Sequence, residues 1–190
     1  MERPASYYDT VFRDSFEVIL EATQIGLWDW HLPTDKVIYS KQWESILGYE
    51  VGELPQTVDS WTRAVLPEDL ALAEQAIADY LEGRSASYEV EFRIVRKDGS
   101  IIWAQDKGTI TEWDEAGHPV RLVGVLQDIH RLKLAEEEVK EKSEQLDFVA
   151  RLANLSMWEW DLRTQTISYN DEYLEMLGYS QSEITGTVEE

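Results

Sequence analysis

The chain has no cysteine. That excludes disulfides, thiolate metal sites and cysteine-based covalent chemistry. Histidine is scarce: His31, His118 and His130 are the three in 190 residues. None lies close to another in sequence, and no carboxylate pair has ligand spacing, so no metal site is expected. Basic residues are few, with 17 Lys and Arg against 38 Asp and Glu and a formal net charge of -21. Such a chain repels phosphate backbones and anionic lipid, so neither nucleic acid nor a membrane surface is an expected partner. No apolar run approaches the roughly 18 residues of a membrane span. The polar start, Met1-Glu2-Arg3-Pro4, has no signal-peptide core behind it. A cytoplasmic location is the expectation.

Aromatic bulk is abundant: eight Trp, nine Tyr and four Phe. Several of them repeat. Gly26-Leu27-Trp28-Asp29-Trp30-His31-Leu32 returns as Ser156-Met157-Trp158-Glu159-Trp160-Asp161-Leu162, at an offset of 130 residues. At the same offset Tyr39 returns as Tyr169, Leu47-Gly48-Tyr49 as Leu177-Gly178-Tyr179, and Glu53 as Glu183. Only seven residues follow Glu183. The pattern predicts one complete module and the truncated start of a second, an organisation that suits relay or assembly better than chemistry.

Residues 1–10 lack periodicity and read as a loose leader. Phe12, Phe16, Ile19 and Leu20 recur at helical spacing and predict a flanking helix packed on the module. Residues 25–32 alternate as a strand, with Trp28, Trp30 and Leu32 on one side. Pro33-Thr34-Asp35 turns the chain into a short strand over 36–40. Residues 41–47 form a short helix that Gly48 stops, and another short helical piece carries Trp61. Pro67 opens the longest internal helix, with Glu68 and Asp69 in its first turn and Leu70, Ala73, Ile77 and Leu81 as its apolar stripe. Tyr88, Val90, Phe92 and Ile94 then alternate with charged residues. Two long strands follow, over 101–113 and 120–129, after turns at Lys97-Asp98-Gly99 and Asp114-Glu115-Ala116-Gly117. Gly124, in mid-strand, marks a close approach of backbone or ligand, or else simple packing. The fold class is α+β: a five-stranded antiparallel sheet with short helices on one face.

Residues 131–153 contain neither Pro nor Gly. Leu132, Val139, Leu146 and Ala153 recur every seven residues, with Ala135, Lys142 and Val149 as a companion row. Two structures fit this pattern, a parallel coiled coil between two chains and a solitary linker helix. The thin stripe in the middle third suits the coiled coil.

In order, these segments resemble a PAS domain with its C-terminal PAC portion, in the Trp-rich form common in bacterial multidomain sensor proteins. The residues that carry the resemblance are Gly26-Leu27-Trp28-Asp29-Trp30, Thr34-Asp35, Tyr39-Ser40, Leu47-Gly48-Tyr49 and Glu53-Leu54. Leu66-Pro67-Glu68-Asp69 follows, with Leu66 where His is common. Tyr88-Glu89-Val90-Glu91-Phe92-Arg93 precedes Lys97-Asp98-Gly99, Trp103 stands at the usual Trp position, and Asp128-Ile129-His130 stands where Asp-Ile-Thr is usual. The resemblance implies a complete domain over 11–130, a signal helix over 131–153 and a truncated second PAS domain over 154–190.

The resemblance also implies a small pocket between the concave sheet face and the helices. Trp28, Trp30, Ile46, Trp61, Ile77, Phe92, Trp103, Val123 and Val125 are its expected lining, with Gln105 and Gln127 as polar groups. Asp128, Ile129 and His130 are the expected coupling point between sheet and helix. Leu132, Val139, Leu146, Val149 and Ala153 are the expected dimer contacts. The implied function is a sensory module that senses a small molecule and signals through the helix, as a homodimer, to an effector such as a histidine kinase or a diguanylate cyclase. The alternatives are a constitutive homodimerisation spacer without ligand, and a redox sensor with noncovalent flavin stacked on Trp61 and Trp103. Haem is not expected, because residues 68–84 lack the proximal His. No nucleophile–base set, Walker loop or phosphoacceptor His in 131–153 is found, so no catalysis is expected of this stretch.

Overall fold

The computed structural model describes residues 15–16 and 18–180. The expected leader and Glu183 lie outside these residues, as do Phe12 and the last ten positions. The chain divides into two compact units, Met1–Lys133 and Leu134–Glu190.

In the first unit, residues 18–23 are helical. Of the residues expected to pack this helix on the module, Phe16 and Ile19 are exposed and Leu20 is half-buried, and Glu21 pairs with Lys41 of the module. Strand β1 (Gly26–His31) and strand β2 (Lys36–Tyr39) form the first hairpin. Between them Asp35 adopts a left-handed conformation, φ 56°. Helix α1 (Lys41–Ile46) follows, capped by the Ser40 hydroxyl, which accepts the Trp43 N–H. Helix α2 (Val58–Ala64) carries Trp61. Helix α3 (Pro67–Leu81) starts on Pro67 and sets Ala73 fully into the core. Strands β3 (Tyr88–Val95), β4 (Ile101–Trp113) and β5 (Pro119–Asp128) complete an antiparallel sheet in the order β2-β1-β5-β4-β3. This is the α+β architecture that the resemblance implies.

The meander β3-β4-β5 is local, but the β1–β5 seam joins residues about a hundred positions apart, pairing Trp28 with Gly124. Side chains alternate faces along a strand. The core side therefore takes Ile102, Ala104 and Asp106 from β4, and Leu122 and Leu126 from β5. Phe92, Ile94, Trp43 and Leu47 fill the centre of that core.

The second unit contains helix α4 from Leu134 onward (the helix runs His130–Leu152), then strands β6 (Trp158–Asp161) and β7 (Thr166–Tyr169) and helix α5 (Asp171–Leu177). Its backbone retraces that of residues 24–49. Trp158 pairs with Tyr169 as Trp28 pairs with Tyr39. Asn170 accepts the Met157 and Tyr173 N–H groups where Ser40 accepts those of Leu27 and Trp43. Left-handed residues recur at Asn154, Gln165 and Gly178, matching Gln24, Asp35 and Gly48. Trp158 is 58% exposed and Trp160 42%.

Candidate functional site

The core of the first unit is built around one indole. The Trp28 ring packs against two glycines: a Cβ on Gly124 would meet Trp28 Cζ2 at 2.1 Å, and one on Gly108 would meet Cη2 at 2.7 Å. Packing, not ligand approach, thus accounts for Gly124. The Trp28 Nε1–H donates to Asp106 Oδ1 at 2.6 Å, and the Tyr88 hydroxyl donates to Asp106 Oδ2 at 2.9 Å. Asp106 is 3% exposed. Burial pushes its carboxyl up to about 7, against the opposing pull of the Trp28 and Tyr88 hydrogen bonds. Burial and the Asp106 charge push both the Tyr88 and Tyr39 phenols well above their ordinary range.

Beside Asp106 lies a cavity of about 40 Å³, lined in part by Tyr39, Trp43 and Val58. Of the residues expected around a pocket, Trp28, Trp30, Trp61 and Ile77 line it. Ile46 and Phe92 are buried in the adjoining core. The other five point away. Trp103, Gln105, Val123, Val125 and Gln127 alternate with the buried residues of β4 and β5 and so stand on the opposite sheet face. A one-residue error in parity flips a whole strand. In β4 the core row contains Asp106 and Gly108 while the outer row carries Ile101 and Trp103, so apolar character does not mark the buried face. Asp106, an acid in a strand, carries no local sequence signal of its burial.

The cavity does not fit a flavin. Pockets for ligands of that class have about 300–1,000 Å³, against about 40 Å³ here. Trp61 packs edge-on against Phe92 inside the core, while Trp103 is across the sheet, so the two cannot share one ring. None of His31, His118 and His130 lines the cavity. Among the described residues no cluster of three metal-ligating side chains occurs, and no helix is long and apolar enough to cross a membrane.

A second cluster joins the sheet to α4. Asp128 Oδ1 accepts the His130 N–H at 2.9 Å and so caps the helix start. Its Oδ2 accepts the Arg96 guanidinium at 2.6 Å. The same guanidinium donates through Nε to the Ile46 carbonyl at the end of α1, at 2.9 Å. Asp128 is thus tied to the β3–β4 turn and through it to α1. Its partner is Arg96, 32 residues away, not the neighbouring Arg131 or Lys133. Ile129 is buried, and its N–H donates to the Trp103 carbonyl at 3.0 Å. His130 keeps a buried Nδ1 without a hydrogen-bond partner among the described residues. Lys133, one turn on, meets Glu91 at 2.6 Å and stands over Trp103, which Arg93 also approaches.

The expected dimer contacts Leu132, Val139, Leu146, Val149 and Ala153 are all exposed in the single chain. Leu134, Phe148 and Leu152 are exposed as well, on a separate face of the helix from the heptad row.

Comparison with known proteins agrees with this architecture. A family model described as PAS fold matches residues 36–126. The probable diguanylate cyclase DgcE of Escherichia coli (strain K12) is 30% identical over 171 residues, covering 87% of this chain and 15% of that protein. The sensor protein FixL of Bradyrhizobium diazoefficiens is 26% identical over 133 residues, covering 70% of this chain and 26% of that protein. This chain therefore spans only a minor part of either relative. A crystal structure of a sensory box histidine kinase/response regulator from Burkholderia thailandensis E264 superposes with a TM-score of 0.60 at 33% identity, covering 69% of this chain and 96% of that one.

Proposed function

Given that this chain belongs to the PAS-fold family, we propose that residues 26–133 are a sensory module that passes its state through Asp128 into α4. The observation that carries this is the Arg96 bridge. One guanidinium holds both the end of α1 and the acid that caps α4. A shift of α1 against the sheet changes whether Arg96 can hold Asp128, and with it the first turn of the helix. Lys133, between Glu91 and Trp103, gives that turn a second hold on the sheet. The effector is of the histidine kinase or diguanylate cyclase class, as the names of the related proteins suggest.

The exposed stripe on α4 supports pairing with a second copy through a coiled coil. The retraced hairpin and helix over 154–179 support a second module of the same Trp-rich PAS kind. Its Trp158 and Trp160 need strands equivalent to β4 and β5 to cover them.

A constitutive pairing spacer is the second reading, and the filled core favours it. Amide exchange separates the two. In R96A the amides of 130–133 should exchange at least tenfold faster while those of β4 do not change. Unchanged exchange at 130–133 would remove the coupling role of Arg96 and leave the spacer.

A further inference from the structure

The Asp106 carboxyl takes no part in the Arg96 bridge or in the cap of α4. It sits in the middle of the sheet, opposite Val90 and Leu126. Facing it are Trp28 from β1 and Tyr88 from β3. Tyr39 of β2 lines the same cavity, and Tyr80 of α3 stacks on Tyr88 at 6.5 Å. Lys107 contributes only its backbone amide. None of these groups is a cation, so the carboxylate is buried without a counter-charge. Two neutral donors are all that offset its desolvation.

We propose that Asp106 is the input site of this module and that the input is a proton, taken up from solvent by the Asp106 carboxylate and returned to it. This rests on the sensory reading above. The chemistry is a simple transfer. In the ionised form both oxygens accept, Oδ1 from Trp28 and Oδ2 from Tyr88. When Oδ2 takes a proton, that new O–H becomes a donor. The Tyr88 hydroxyl, which can accept as well as donate, turns round to receive it. The Trp28 indole can only donate, so it stays on Oδ1. One hydrogen bond reverses and none need be lost.

The cavity beside the carboxyl gives the proton a route. A water needs roughly 10–15 Å³ and two or more polar partners, and the cavity offers about 40 Å³. Besides Asp106, its lining residues include the hydroxyl-bearing Tyr39 and Tyr88. Trp30 and Trp61, both half-buried, are among the residues that line it. The path outward runs along β5. Leu126, paired with Asp106, lies two residues before Asp128.

Burial holds the carboxyl at about 7, so it exchanges its proton near neutral pH. The folded state binds this proton more tightly than the unfolded chain, whose Asp value is about 4. The stability it contributes is complete below that unfolded value and is lost as pH rises through about 7.

The test is the indole Nε1–H resonance of Trp28 in ¹⁵N-labelled protein, followed from about pH 5.5 to about pH 8.5. The expected result is a titration with its midpoint near 7. D106N, isosteric with the protonated acid, should show no titration and resemble the wild type at the acidic end. Y88F, which removes a donor to the ionised form, should move the midpoint up by about one unit. A flat wild-type curve, or one that D106N leaves unchanged, would overturn the proposal. The amides of 130–133 are read in the same spectra. If Trp28 titrates and they do not, the proton site stands and the coupling to α4 fails.

Discussion

At the scale of the residue, two glycines and one aspartate define the core. Gly124 and Gly108 leave the volume that the Trp28 ring occupies. We expect G124A to cost at least the roughly 1–3 kcal/mol typical of overpacking, because its Cβ would meet both the ring and the Lys107 carbonyl. Urea denaturation checks this, and a midpoint equal to wild type would show that the seam can give. Phe92 is 0% exposed and holds the edge of Trp61. F92A should cost about 3–5 kcal/mol in the same measurement. Both positions could be picked out in the sequence, Phe92 from its alternating strand and Gly124 as an interruption in an apolar one. Asp106 could not, because a lone acid in a strand normally faces water. Only the pairing of β4 between β3 and β5 shows that its neighbours on that face are Val90 and Leu126.

Elements are held to one another by side chains from distant segments. Asp69, in the first turn of α3, accepts the Arg93 backbone N–H and both arms of its guanidinium, clamping the helix to β3. The Arg93 side-chain hydrogen bonds hold the Asp69 carboxyl below the ordinary carboxylate range. The resulting stability is present above the unfolded value near 4 and is lost as pH falls through the folded one. The gap in melting temperature between wild type and D69N should therefore narrow as pH drops from about 6 to about 3, and a constant gap would contradict this origin. Asp128 acts in the same way on α4. D128A removes a helix cap, worth about 0.5–2 kcal/mol, and its amides at 130–133 should exchange faster. Helix α3 was legible from Pro67, its acidic first turn and its stripe, which are local signals. The faces of β4 and β5 were not. Their outer rows are as apolar as their inner ones, and alternation alone does not say which row is covered.

For the molecule as a whole, the exposed row on α4 makes the chain's association state the decisive measurement. Light scattering should give twice the monomer mass for a chain ending at 155 and the monomer mass for one ending at 130. Equal states for the two would take the helix out of the pairing. The class of fold, the order of its elements, the heptad row on α4 and the recurrence at an offset of 130 residues are all legible in the linear chain. These are matters of periodicity, turn residues and short-range spacing, which a chain carries wherever it goes. The tertiary structure alone decided which face of the sheet is the core, that Arg96 is the partner of Asp128, and that Asp106 is buried between Trp28 and Tyr88. Each of these depends on the β1–β5 seam or on contacts between segments tens of residues apart. No local pattern encodes such contacts, because they exist only once the sheet has closed.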